Sequence, residues 1–157
     1  MLLKEEQKDH LFQYYEFRFG IPVEEMEKYN YLTRGDSVWI CPHEIDITFL
    51  KLVEFERVGL RCCRWTQGLF KPTTHFVQLM SRHITKSRIE MKKDQLLNFL
   101  QRKSFETDQT CDPGYIVVSF ENQVIGCGRF KEGEVFSEFP KKIAHNMKLS
   151  QLESRDE

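Results

Sequence analysis

Three short runs in the second half of the chain, GYIVVSF, QVIGCGRF and EVFSEFP, are separated only by Glu121 and Asn122 and by the turn KEGE. Runs of β-branched and aromatic residues this short, joined this tightly, predict antiparallel strands that double back on one another. Closing short strands into a barrel removes vulnerable edges and leaves one face for a ligand, so the surrounding region is expected to be a small mixed β-barrel or half-open sheet.

The second run and the turn after it carry three glycines in GCGRFKEGE. A phosphate loop needs its glycines at a strand-to-helix junction, where backbone N–H groups and the helix dipole converge on the anion. Here the strand pattern continues on both sides, which argues against that chemistry. Gly126 and Gly128 fall on one strand face, with Cys127 and Arg129 on the other. Bare backbone on the glycine face either admits another chain or a base, or relieves crowding where the sheet bends.

Upstream, KEEQKDHLFQYYEFRFG places Leu11, Phe12, Tyr15 and Phe19 at helical spacing, with Glu5, Glu6 and Asp9 near the positive end of the dipole and Gly20 and Pro22 as the stop. A second short helix, VEEMEKY, follows, then a strand, a turn at Gly35 and Asp36, and a second strand through Val38 to Cys41. FERVGLRCCRW predicts a long strand, and Pro72 and Thr73 open a helix that turns Phe76, Leu79 and Met80 inward. ITKSRIEM alternates, so Lys86, Arg88 and Glu90 share one strand face. DQLLNFLQRK predicts a further helix with Leu96, Leu97 and Leu100 on its apolar side, and SFETDQTCDPG reads as a polar connection. The expected organisation is a small acidic α/β unit over residues 1–54, a strand-rich domain with two small helices over 55–149, and a charged tail over 150–157. The fold class is α+β.

The charge is unevenly distributed. Residues 1–55 hold 6 Lys/Arg against 11 Asp/Glu, whereas residues 56–149 hold 16 against 10. A basic second part suggests a polyanion partner. Its cations, Lys71, Arg82, Lys86, Arg88, Arg129, Lys141 and Lys142, are interleaved with strands and helices, as in a phosphate-contacting footprint.

Other chemistries find little support. The five cysteines are odd in number and lack CxxC spacing, which argues against a disulfide framework and a zinc knuckle. Cys41 and His43 have no second ligand pair, Cys62 and Cys63 point to opposite faces of a strand, and the five histidines form no triad or HExxH signature. No catalytic residue, metal or cofactor is expected. No apolar run approaches the roughly 20 residues needed to cross a bilayer, and MLLKEEQKDH turns polar where a signal peptide turns hydrophobic; a cytoplasmic protein without membrane association is expected.

GLRCCRWTQGLFKPTTHFVQLM, followed by GYIVVSFENQVIGCGRFKEGEVFSEFPKK, resembles the PUA-like RNA-binding domain at the C-terminus of Sun-family RNA cytosine-5 methyltransferases. The matching pieces are Phe70 to Thr73, Gly114 to Val118, Gly126 to Arg129, and Pro140 with Lys141. FRFGIP and YNYLTRGDSVWI look like the small N-terminal unit of archaeal stand-alone relatives. The resemblance implies a pseudo-β-barrel that binds structured RNA, tRNA or rRNA, in connection with RNA modification or ribosome biogenesis, beside a separate methyltransferase or other modification enzyme. Carried over by position, the RNA face comprises Lys71, Thr74, Arg82, Lys86, Arg88, Gly128, Arg129 and Lys141, with Lys142 adjoining. Catalysis is not carried over, because the glycine-rich motif and the Pro-Cys motif are missing; Cys41 precedes its proline. The alternative is an interaction adaptor whose acidic N-terminal half docks a basic protein.

Overall fold

The computed structural model describes residues 1–48 and 59–146. The beginning of the strand expected from Phe55, and the charged tail over 150–157, lie outside them. The chain divides into two compact units, Met1–Lys86 and Ser87–Glu157. The expected boundary at 54/55 falls inside the first unit, because strands on either side of it belong to one sheet.

Unit one opens with helix α1 (Glu5–Phe19). Its stripe is the one the spacing predicts: Leu11, Phe12, Tyr15 and Phe19 are all buried. Burial of such side chains contributes about 1.5–3 kcal/mol each. The helix stops at Gly20, whose left-handed backbone (φ 75°) lets its N–H reach the Glu16 carbonyl. Pro22 then caps α2 (Val23–Met26), a single turn rather than the longer helix expected. Strands β1 (Tyr29–Arg34), β2 (Ser37–Pro42), β3 (Leu60–Thr66) and β4 (Leu69–Pro72) form an antiparallel sheet in chain order. Pro72 therefore ends a strand instead of opening a helix. Thr73 caps α3 (Thr74–Leu79), its Oγ1 accepting the Phe76 N–H at 3.3 Å. Phe76 and Met80 point inward as expected, but Leu79 is 48% exposed. Phe76 packs edge-on against Tyr15, with ring centroids 4.9 Å apart.

Unit two begins with β5 (Arg88–Glu90). This strand is shorter than the alternation predicts, since Ser87 takes a left-handed φ of 52° and leaves Lys86 outside it. Helix α4 (Lys93–Leu100) and β6 (Phe105–Glu106) follow. The anchor of α4 is Phe99, fully buried, and not Leu97, which is 45% exposed. The meander β7 (Gly114–Phe120), β8 (Gln123–Lys131) and β9 (Glu134–Ser137) is present as read. Its two connections are two-residue turns with positive φ at both positions, Glu121–Asn122 and Glu132–Gly133, the mirror-type turns whose twist suits a hairpin.

The sheet order is β5-β7-β8-β9-β6, with β5 parallel to β7 and the other pairs antiparallel. A parallel pair needs a long crossover, and α4 and β6 lie within it. Phe99, Phe105, Phe130 and Phe139 meet Ile116 and Val118 in the core. Residues 141–146 are helical, so Lys141 and Lys142 open a helix instead of trailing from the last strand. This strand-dominated α+β architecture agrees with the expected PUA-like pseudo-barrel.

Candidate nucleic-acid interface

Four of the expected contact residues belong to unit one. Lys71 lies on β4, directly opposite Arg64 of β3. Two cations facing each other across a ladder repel, and the Arg64 guanidinium is compensated by Asp36, 2.8 Å away. That hydrogen bond is the chief reason the Asp36 carboxyl sits below its ordinary range, with burial opposing it. Thr74 is buried at the start of α3, which takes it out of any surface role. Arg82 is exposed on a 3-10 turn, Ser81–His83. Its charge helps to hold Glu25 below the ordinary carboxylate range, after the larger effects of the Lys28 hydrogen bond, opposed by burial, and of His83. Lys86 is exposed, with its ammonium 6.0 Å over the Phe17 ring.

The remaining residues belong to unit two. Arg88 is held inward: Nε donates to Ser119 Oγ at 3.4 Å and Nη2 to the Asn122 carbonyl at 3.0 Å. Glu90, on the same face of β5, accepts from Ser119 Oγ and from the Asn122 N–H at 3.1 Å. Burial acts to raise the Glu90 carboxyl, yet these hydrogen bonds and the Arg88 charge outweigh it and leave the pKa lowered. Of the strand face expected at Lys86, Arg88 and Glu90, the last two thus form a clamp between β5 and the β7–β8 turn, while Lys86 lies outside the strand.

Gly128 is buried, and a Cβ there would lie 2.9 Å from the Phe136 carbonyl oxygen and 3.1 Å from Val135 Cγ1. Of the two readings left open for the glycine face, the structure supports close packing inside the sheet. Arg129 is exposed on the opposite face, 3.3 Å from Glu138 and 5.7 Å over the Phe136 ring. Lys141 and Lys142 are exposed on the first turn of the helix that begins at 141.

The structure therefore sets most of these cations beside acids or rings, while Arg82, Lys86, Arg129, Lys141 and Lys142 keep exposed surface. Sequence reasoning passed over Arg61 and Arg64, both exposed on β3, with Arg61 stacked 5.5 Å over Trp39. It also passed over Phe17, which stands at the helix position opposite the buried stripe and is 79% exposed.

Of the five cysteines, Cys111 is half-buried. Cys41, Cys62, Cys63 and Cys127 are buried, and burial pushes the Cys62 thiol well up. His43 is turned to the Glu27 carbonyl and does not join Cys41. Among the described residues no three His, Cys, Asp or Glu side chains are grouped to hold a metal ion, and no helix is long and apolar enough to cross a membrane.

Comparison with known proteins bears on unit two most directly. Residues 86–143 match the family model described as the methyltransferase RsmF PUA domain, a span that starts within one residue of the boundary between the units. It includes three of the four motif pieces read from the sequence; Phe70 to Thr73 lie before it. The ribosomal RNA small subunit methyltransferase F of Psychromonas ingrahamii is 22% identical over 144 residues, which cover 88% of this chain and 29% of that protein. The chain thus spans less than a third of that relative's length. Over residues 86–143, this chain is similar to the PUA domain of methyltransferase RsmF, and so resembles the C-terminal domain of the Sun-family enzymes.

Proposed function

We propose that this chain is a non-catalytic binder of structured RNA, tRNA or rRNA, acting in connection with RNA modification or ribosome biogenesis alongside a methyltransferase or other modification enzyme. The observation that carries the reading is the match of residues 86–143 to the RsmF PUA domain, within a unit that has its own core. The relative named above acts, by its name, on small-subunit ribosomal RNA. Phosphates meet Arg129, Lys141 and Lys142 in unit two and Lys71, Arg82 and Lys86 in unit one, with Arg88 supporting the β7–β8 turn. These side chains position the RNA; they do not read its bases.

The test is fluorescence anisotropy with a small-subunit rRNA fragment and with a tRNA, over a series of salt concentrations. Affinity is expected to fall steeply with salt as counterions are released. Lys141→Glu with Lys142→Glu is expected to weaken binding similarly for both RNAs and to lower the salt slope by about 1 for each phosphate that is no longer neutralised. Absence of binding to either RNA at physiological salt, or a folded double variant with unchanged affinity and slope, overturns the reading.

A further inference from the structure

Phe17 is the outlier of α1. The helix buries its aromatic stripe, yet this ring is 79% exposed. It does not stand alone: with Tyr14 of the same helix and Trp65 and Phe70 of the β3–β4 hairpin, it lines a groove of about 850 Å³, within the size range of small-ligand sites. The rings are mutually braced. Tyr14 and Phe70 have centroids 5.4 Å apart, and Trp65 and Phe70 4.9 Å, both pairs tilted at 40°. Phe70 is 8% exposed, so the floor is fixed by packing while Phe17 forms an open wall.

The charge at the rim narrows the occupant. Lys86 lines the groove with its ammonium 6.0 Å over the Phe17 ring; His10 and the acid Glu16 also contribute. A cation already seated on that ring disfavours a cationic guest and suits one that joins a flat π-face to a negative charge. An unpaired nucleotide has both, and bases stack on aromatic side chains in single-strand binders. Lys86 is also the first residue of the span that matches the PUA domain.

We infer that this groove in unit one takes an unpaired RNA base, stacked on Phe17, with the adjoining phosphate at Lys86. The inference rests on the RNA-binding reading above and adds to it a single-stranded subsite.

An octauridylate strand and an abasic ribose-phosphate strand of equal length separate stacking from charge. The wild-type full chain is expected to bind octauridylate about tenfold more tightly than the abasic strand, and Phe17→Ala to bind the two alike. Phe17→Tyr is expected to restore the preference, and the salt slope is expected to be the same in all three proteins. Because Phe17 is mostly exposed, Phe17→Ala is expected to fold, which circular dichroism checks. The inference is overturned if Phe17→Ala binds octauridylate as the wild type does, or loses affinity equally for both strands. Binding of structured RNA without binding of octauridylate sinks this inference alone, whereas absence of binding to either sinks the RNA-binding reading with it.

Discussion

The two sheets of this chain are assembled by different rules. In unit one, β1, β2, β3 and β4 lie side by side in the order they occur in the chain, every pair antiparallel. In unit two only β7, β8 and β9 do so; β5 is added parallel to β7 at one edge and β6 antiparallel to β9 at the other. The pairs β1–β2 and β3–β4 need only a turn and β2–β3 a longer connection between consecutive strands, whereas the outer strands of unit two must be brought to partners that are not their neighbours in sequence and fastened there. The fastening is visible. Glu90 and Arg88 grip Ser119 and Asn122 at one edge, and at the other Ser104 Oγ donates to Glu134 at 2.7 Å, beside the β6–β9 pair.

Aromatic anchors have the largest expected effect on either sheet. Phe99 holds α4 against the sheet of unit two, and Phe76 holds α3 in unit one; both are fully buried. Phe99→Ala and Phe76→Ala are each expected to cost about 3–5 kcal/mol, from reduced transfer energy plus the cavity left behind. Hydrogen exchange resolves the comparison. Phe99→Ala is expected to expose amides of β5 and β6 before those of the β7–β8 hairpin, because the outer strands depend on the crossover that carries Phe99. Equal loss of protection across all five strands would break the proposed difference.

What is legible in the sequence follows the same division. The stripe of α1, the Gly20 stop and the β7–β8–β9 meander can be read, since each is written in spacing or turn chemistry within a few residues. The pairing of β6 cannot. SFETDQTCDPG has the composition of a loop, yet Phe105, which pairs opposite Val135, is buried in the sheet core and Cys111 packs against it. The length of β5 is hidden because alternation continues through Ser87 while the extended backbone does not. Among the candidate RNA-binding residues, the charges are plain from the sequence but their partners are not: Arg88 looks like Arg129 in the chain, and only the fold shows one held inward and the other exposed.

Two glycines sharpen the contrast at a smaller scale. Gly59, just before β3, has a φ of 66°, and an ideal Cβ there would lie 2.0 Å from the Ile40 carbonyl oxygen. Gly128 has an ordinary φ, and its constraint is the space taken by Phe136 and Val135. Gly59→Ala combines backbone strain with a backbone clash and is expected to cost about 3 kcal/mol. Gly128→Ala meets the Phe136 carbonyl oxygen and Val135 closely but adds no backbone strain, and is expected to cost about 1–2 kcal/mol. Urea midpoints of the two variants check the order. A larger loss of stability for Gly128→Ala would mean that the sheet of unit two yields less than that of unit one.

The smallest effect concerns the clamp itself, and acid reveals it. The hydrogen bonds to Glu90 hold its pKa below the ordinary value of 4.5, so the clamp's contribution is fully present above that value and disappears as the pH falls through the lower folded value. Glu90→Gln keeps the shape but removes the charge that Ser119 and Asn122 serve. Allowing for solvent screening at this exposed site, it is expected to cost about 1 kcal/mol near neutral pH and nothing once the carboxyl is protonated. Stability of wild type and variant should therefore converge below pH 4.5. In unit one, Asp36 is similarly lowered, but its Arg64 partner joins strands that already pair through β2 and β3. Asp36→Asn is accordingly expected to change the acid dependence less than Glu90→Gln does. The reverse order, measured by urea unfolding across the same pH range, would show that the distant strand is held by the buried core alone and that the Glu90 clamp is incidental to it.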